Sequence, residues 1–449
     1  MLVKPVPARL PWEAHPLAAL MRLSWPIAVS TLSYSVMTLA GTLFVGRLGP
    51  AALAGVGLGG TAAFATICFA FGLLRGAKVL VSQAVGAGRT HEVGAHLGAA
   101  LLAAVGLGAI AIAAGEVVAR FLGALAATPA SGAAAAAYLR IRILSAPAVL
   151  AFVALREVRY GIGDARWPML ASVAGNVANI ALDWLLLVRL GRGVEAAGWG
   201  TVLGHGVELA VLLWPQARAG FGVRAMRARH VAALFRIGAP TGLQFALEVG
   251  SFALLAALIA AMSEEEMAAH QIALQVVQFS FLPALAVSEA ASVLVGQAVG
   301  AGRHELVRGL SRLAMWVAGA YTALCSVVMA LGGSWIASGF TSEPRLRLAA
   351  AHLLAVAAVF QVFDGANVVA RGALRGTGDV HRPAVIGVVT SWLLTPPLAW
   401  LLGWRLGLGA LGGWIGLCAE IILGAALLWW RLERGGWRPA AAAVQARAL

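Results

Sequence analysis

Long apolar runs, separated by short stretches rich in Arg, Gly and Pro, recur along the whole chain. A helix needs about 20 mainly apolar residues to cross a bilayer. Runs of that kind lie at 17–46, 52–82, 94–122, 134–158, 166–190, 195–216, 232–261, 268–298, 307–338, 346–370, 383–404 and 409–430. The pattern predicts an all-α integral membrane protein with twelve transmembrane helices. Several runs exceed the minimum, which allows tilt but fixes no angle.

Composition sharpens this. Of 449 residues, 61% are hydrophobic and only 12% charged, about half the roughly 25% of a soluble domain. A soluble enzyme, a disordered chain and a disulfide scaffold are excluded, because a chain this apolar uses lipid as its solvent. The 54 glycines suit close helix packing in lipid. Cys68, Cys325 and Cys418 all fall inside apolar runs, so no disulfide is implied and each is read as a packing residue.

An internal repeat orders the spans. LVSQAVGAGR at 80–89 and LVGQAVGAGR at 294–303 share nine of ten residues at an offset of 214. The same offset relates RLSWP (22–26) to RIGAP (236–240), and 215 relates GIGDARWP (161–168) to GTGDVHRP (376–383). Each half holds six spans, so both start on the same side of the membrane and the repeat is parallel. The expected organisation is an N-lobe at 17–216, a linker at 217–231 and a C-lobe at 232–432, with cytoplasmic tails at 1–16 and 433–449. Two pseudo-symmetric six-helix lobes imply a central cleft that opens to either side in turn, the geometry of alternating access. The first 16 residues contain Pro5, Pro7, Pro11 and Pro16 and no apolar core, so they are read as a tail and not a signal peptide.

The formal net charge of +14 follows the topology. With both termini inside, the inner segments carry more than twice the Lys and Arg of the outer ones, counting Arg156, Arg371 and Arg375 with the inner face. Nucleic acid is not an expected partner, since no basic patch is interleaved with a readout motif.

Charges within spans need a reason, because each costs a few kcal/mol to insert. The acids read within spans are Asp183, Glu208, Glu248, Glu289, Asp364 and Glu420. Removed from water, such groups exchange protons near neutral pH or bind a small cation; the other role open to them is a static interhelical hydrogen bond. Glu248 and Asp364 are the first candidates, with Glu289 beside them in the C-lobe. In the N-lobe, Asn179 and Asp183 share a helix face with Asn176 nearby, and with Thr201 they supply oxygens suited to Na⁺ or to interhelical hydrogen bonding. Arg75 maps onto Glu289 under the offset of 214, which raises an inter-lobe ion pair, or else charges satisfied within each lobe. Lys78 is a second base deep in the same span. Pro26 and Pro240 correspond across the halves and are candidate hinges. Glu208 and Glu420 nearly correspond and read as interhelical hydrogen bonders. The repeated QAVGAGR reads as a tight turn ending in a cytoplasmic anchor. GxxxxGK[ST], HExxH, GxSxG and a CxxC pair are absent.

FVGRLGPAALAGVGLG (44–59), LVSQAVGAGR, NVANIALDWLL (176–186), AAHQIALQV (268–276), SEAASVLVGQAVGAGR (288–303) and FQVFDGANVVARGALRGTGD (360–379) together resemble the multidrug and toxic compound extrusion (MATE) transporters. The resemblance implies two six-helix lobes forming a V around a central cleft. It implies export of organic cations and other amphiphiles, driven by inward Na⁺ or H⁺, by a monomer with no cofactor in a bacterial inner membrane. By position, Glu248 and Asp364 look like the family's coupling acids of the seventh and tenth helices, where Na⁺ or H⁺ would compete with substrate. Asn179 and Asp183 look like the fifth-helix part of an N-lobe cation site. That site also uses a first-helix acid, and Gly41 stands in its place. A lipid-linked precursor flippase, kept open by Arg75 and Lys78, is the rival reading; a membrane-embedded transferase would need a metal or His-centred site that is not seen.

Overall fold

The computed structural model describes residues 10–126 and 128–446, so Lys4, Arg9 and Arg447 of the expected tails lie outside the described residues. Twelve helices have the length and apolarity to cross a membrane: α1 Pro16–Gly46, α2 Pro50–Gly86, α3 Glu92–Leu125, α4 Pro129–Gly161, α5 Arg166–Arg189, α6 Val194–Arg218, α7 Ala228–Ala260, α8 Glu264–Gly300, α9 Glu305–Ser338, α10 Pro344–Gly376, α11 His381–Arg405 and α12 Ala410–Glu433. A short α13, Arg438–Ala446, follows. No strand occurs among the described residues. Apolar side chains such as Leu331 and Trp335 of α9 are 86% and 80% exposed, a surface suited to acyl chains and not to water.

Local chemistry sets the helix ends. Proline opens α1, α2, α4 and α10, where its missing N–H is no loss. Thr128 and Ser131 cap α4 reciprocally, and Ser263 caps α8 by accepting from the Glu266 amide at 3.1 Å. The helices run further than the apolar pattern indicated: α4 reaches Gly161 and α10 reaches Gly376, which draws Arg371 and Arg375 into a helical span. The last turns of α5 (Trp184–Arg189) and α11 (Ala399–Arg405) are π-helical at repeat-related positions, a register shift that apolar periodicity does not reveal.

The chain divides into two compact units. The N-terminal unit comprises Val29–Val81 and Arg89–Gly242, and the C-terminal unit Met1–Ala28, Ser82–Gly88 and Leu243–Leu449. The start of α1 and the end of α2 thus belong with the helices of the second repeat. The N-terminal unit has an alanine-rich core around Leu122, Leu139 and Ile143. Its α2 meets α7 through facing glycines: a Cβ on Gly76 would lie 2.9 Å from the Gly238 nitrogen, and one on Gly72 2.9 Å from the Gly242 nitrogen. Small residues four apart let two backbones touch in this way. The C-terminal unit has a larger core around Leu255, Ile259, Leu354, Phe360 and Trp414.

The repeated QAVGAGR motif does more than turn and anchor. Gly88 and Gly302 take φ of 72° and 76° and make the turn. Gly86 and Gly300 make a reciprocal crossing within the C-terminal unit: a Cβ on Gly86 would strike the Gln297 carbonyl, and one on Gly300 the Gln83 carbonyl. Gln83 Nε2 then donates to the Gly376 carbonyl at 3.0 Å, and Gln297 accepts from Trp12 Nε1 at 2.7 Å. Arg303 closes the motif on Glu13 at 2.7 and 3.1 Å.

The crossing predicts a sharp asymmetry among glycines. Gly86→Ala or Gly300→Ala forces two backbones apart and is expected to cost on the order of 1–3 kcal/mol, read as a lower thermal midpoint in detergent. Gly106→Ala, with nothing within 4 Å of its Cβ position, should leave that midpoint unchanged or raise it slightly.

Candidate functional site

Phe360, Asp364, Asn367, Val368 and Arg371 recur at helical spacing on α10, so one stripe carries a ring, an acid, an amide and a base. Facing it are Glu248 and Phe252 of α7, Leu274, Val277, Gln278 and Phe281 of α8, and Trp414, Leu417, Glu420 and Ile421 of α12. Together they line a cavity of about 320 Å³ inside the C-terminal unit. Its walls are largely apolar and aromatic, with a few convergent charged groups, as expected of a small-molecule site.

Three carboxyls and one guanidinium line this cavity. Arg371 Nη1 donates to Glu248 Oε1 at 2.6 Å, and Gln244 Nε2, one turn back on α7, donates to the same oxygen at 3.0 Å. Gly387 on α11 leaves room for the pair, since a Cβ there would lie 2.7 Å from Gln244 Nε2 and 3.2 Å from Arg371 Nη2. Arg371 Nε is buried and makes no hydrogen bond among the described residues. Glu420 accepts a hydrogen bond from the Thr395 hydroxyl of α11. Asn367 is occupied with the Ile421 carbonyl at 3.3 Å. Asp364 lines the cavity and makes no hydrogen bond or ion pair among the described residues.

Glu248 and Asp364, singled out in the sequence, are therefore brought together in one cavity. Glu289 is not among its lining residues; it stands 3.7 Å from Arg375, one turn beyond Arg371. Phe252 lines the cavity, whereas Phe363 is 42% exposed. The structure adds Phe281, Phe360, Trp414, Glu420 and Arg371. Arg371 belongs in a span and not with the inner-face bases, and its spacing of seven from Asp364 was the signal available.

The N-terminal unit holds the second candidate group. Asp183 is 4% exposed, and among the described residues neither its Oδ1 nor the amide nitrogen of buried Asn179 has a hydrogen-bond partner. A Cβ on Gly41 would lie 3.6 Å from Asp183 Oδ2, so α1 leaves a notch beside the carboxyl. Gly200 of α6 presses on the other oxygen. Asn176 Nδ2 donates to Ser33 Oγ of α1 at 2.7 Å, and the Thr201 hydroxyl donates to its own helix at Ala197. Asn179, Asp183 and the Gly41 notch thus converge, while Asn176 and Thr201 have structural hydrogen bonds.

The same unit contains a buried charge cluster that the sequence reading did not assemble. Lys78 Nζ lies 3.4 Å and Arg156 Nη2 2.9 Å from the two oxygens of Glu157, with Lys78 and Glu157 each 2% exposed. Arg75 adds its charge to this neighbourhood. Glu157 was omitted from the intramembrane acids, although it lies inside the fourth apolar run. Glu208 accepts from Ser172 at 3.0 Å and faces His205 Nδ1 at 3.3 Å. Both Glu208 and Glu420 thus accept a hydroxyl from the preceding helix of their own repeat, as their near-correspondence indicated.

The MatE family model matches residues 26–185 and 240–401, one block in each repeat. A "Probable multidrug resistance protein NorM" of Pseudomonas syringae pv. tomato is 33% identical over 94% of this chain and 95% of its own. One of the same name from Deinococcus radiodurans is 32% identical over 91% and 93%. Among solved structures, the eukaryotic MATE transporter AtDTX14 superposes with a TM-score of 0.89 at 19% identity, covering 97% of this chain and 99% of that one. A MOP superfamily transporter from Pyrococcus furiosus gives 0.86 at 22% identity, over 96% and 97%. With both repeats matched and relatives aligned end to end, the chain belongs to the MatE family of membrane transporters and is not an enzyme.

Proposed function

We propose that the chain is a secondary active antiporter that exports cationic or amphiphilic small molecules in exchange for inward Na⁺ or H⁺. It would work in a bacterial inner membrane as a monomer, with both termini in the cytoplasm. The observation that carries this reading is Asp364, an acid with no hydrogen bond among the described residues, lining an aromatic-walled cavity inside membrane-spanning helices. An organic cation and a proton or Na⁺ are both drawn to such a carboxyl, and occupancy by one excludes the other. A ligand shifts an inward–outward equilibrium only through its differential affinity for the two states. Mutual exclusion at the cavity acids supplies that difference. The relatives named as multidrug resistance proteins support the substrate class.

Glu248 and Glu420 complete the acidic side of the cavity, Asp183 beside Gly41 is a second cation position, and Pro26 and Pro240 are hinges. The prolines lie two residues before the points, Ala28 and Gly242, where α1 and α7 change compact unit. The Arg75–Glu289 ion pair belongs to the same proposal as a bridge made in only one conformation. A double-mutant cycle on transport tests it, because additive effects of Arg75→Ala and Glu289→Ala would count against coupling.

In proteoliposomes with an imposed pH gradient or, separately, an imposed Na⁺ gradient, the wild-type chain should drive efflux of a cationic dye with one of the two. Asp364→Asn should lower that efflux at least tenfold while the protein elutes and melts as wild type; full rates in this variant would refute the reading. At the second position, Gly41→Asp places a carboxyl beside Asp183. It should give a thermal midpoint that rises with Na⁺ concentration, and adding Asp183→Asn should abolish the rise.

A further inference from the structure

We propose that Arg371 is the resident counter-ion of the cavity: it holds Glu248 as a standing ion pair, so the exchangeable load falls on Asp364 and Glu420. This rests on the reading of the cavity as the coupling site and refines which acids do the exchanging.

The geometry is that of a built pair. Arg371 and Glu248 are each 17% exposed and meet at 2.6 Å. Three helices seat them: α10 brings the base, α7 brings the acid together with Gln244, and α11 makes room at Gly387. A guanidinium does not release its proton at any working pH. Loading Glu248 with a proton or a free cation would therefore strand a tethered positive charge among apolar walls, where an unpaired charge is costly.

The other two acids carry no such burden. Among the described residues, Asp364, seven before Arg371 on the same stripe, is neither hydrogen-bonded nor ion-paired, and Glu420 accepts from hydroxyls of α11 and makes no ion pair. Either can gain or lose a positive charge without stranding a partner. The cavity's capacity is then two exchangeable charges, where its three carboxyls alone would give three.

The internal repeat shows why Arg371 takes this role. At the offset of 215 its counterpart is Arg156, whose acid is its own neighbour Glu157. The position equivalent to Glu157 is Gly372, packed against Ser288 where no side chain fits. Arg371 thus has no acid beside it on α10 and pairs across to α7.

The test uses the full chain in proteoliposomes with ethidium, a monocationic dye, and proton release on dye binding in detergent as a second readout. Glu248→Gln strands Arg371, which then neutralises a remaining acid, and efflux should fall at least tenfold. Adding Arg371→Met should recover at least fivefold over that single variant. The conservative Arg371→Lys should keep the wild-type proton count, whereas Arg371→Met alone should raise it by about one as Glu248 is freed. If the folded double variant stays as inactive as Glu248→Gln, Glu248 itself exchanges and the proposal is overturned. Should the Met variants fail to fold, Arg371→Lys decides, and a changed proton count there overturns it. Asp364→Asn separates the two readings: full efflux in that variant sinks the coupling site as a whole, while its loss together with a failed rescue sinks only the role of Arg371.

Discussion

Inside a bilayer there is no water to solvate a charge, and the placement of nearly every ionisable side chain in this protein follows from that one fact. Insertion scales put the cost of a lone central charge at about 2.5–3.5 kcal/mol. Breaking a buried pair from one side costs about 3–5 kcal/mol, although replacing both ends with apolar groups is often neutral. The described spans obey this. Lys78 and Arg156 converge on Glu157, Arg371 on Glu248 and Arg375 on Glu289. Against such a background Asp183 and Asp364, which make no ion pair among the described residues, are the exceptions, and the proposed coupling role gives each a reason to be there.

The architecture was legible in the sequence because it rests on long-range regularities. Apolar run length gave twelve spans, and three motif pairs at offsets of 214 and 215 gave the duplication. Periodicity also placed Glu248 and Asp364 correctly within spans. What it could not give was the exact end of a helix. Reading α10 as ending at residue 370, when it reaches Gly376, assigned Arg371 to a loop and turned one half of an ion pair into a topology signal. Glu157 was passed over for a related reason: beside Arg156 at a helix end it looks like a solvated charge pair, and only the approach of Lys78 from α2 shows that it is buried. Glu420 looked purely structural because its hydrogen bond to Thr395 is structural; its second face, toward the cavity, depends on how four helices pack.

Glycine explains why the repeated motif is repeated. Gln83 with Gly86 and Gln297 with Gly300 form one crossing seen from two sides: each glycine accepts the carbonyl of the other segment's glutamine. A contact of that symmetry needs the same residues in both copies, so the sequence of 82–88 has little freedom to drift from that of 296–302. The two copies of a buried charge carry no such obligation. Each has only to be neutralised, and the neighbour that does so is free to differ.

That freedom is where the two halves part. Arg156 and Arg371 occupy equivalent positions on α4 and α10, and both are half-buried and held in ion pairs. Arg156 shares its acid with Lys78, so its unit gathers surplus positive charge around one carboxylate. Arg371 has Glu248 to itself, and two further acids line the same cavity. Duplication therefore left one unit with a base-rich buried cluster and the other with an acid-rich chamber, starting from the same arginine. The chamber in the C-terminal unit combines a wall of aromatic rings with carboxyls in excess of bases, which is the complement that the proposed export of an organic cation requires.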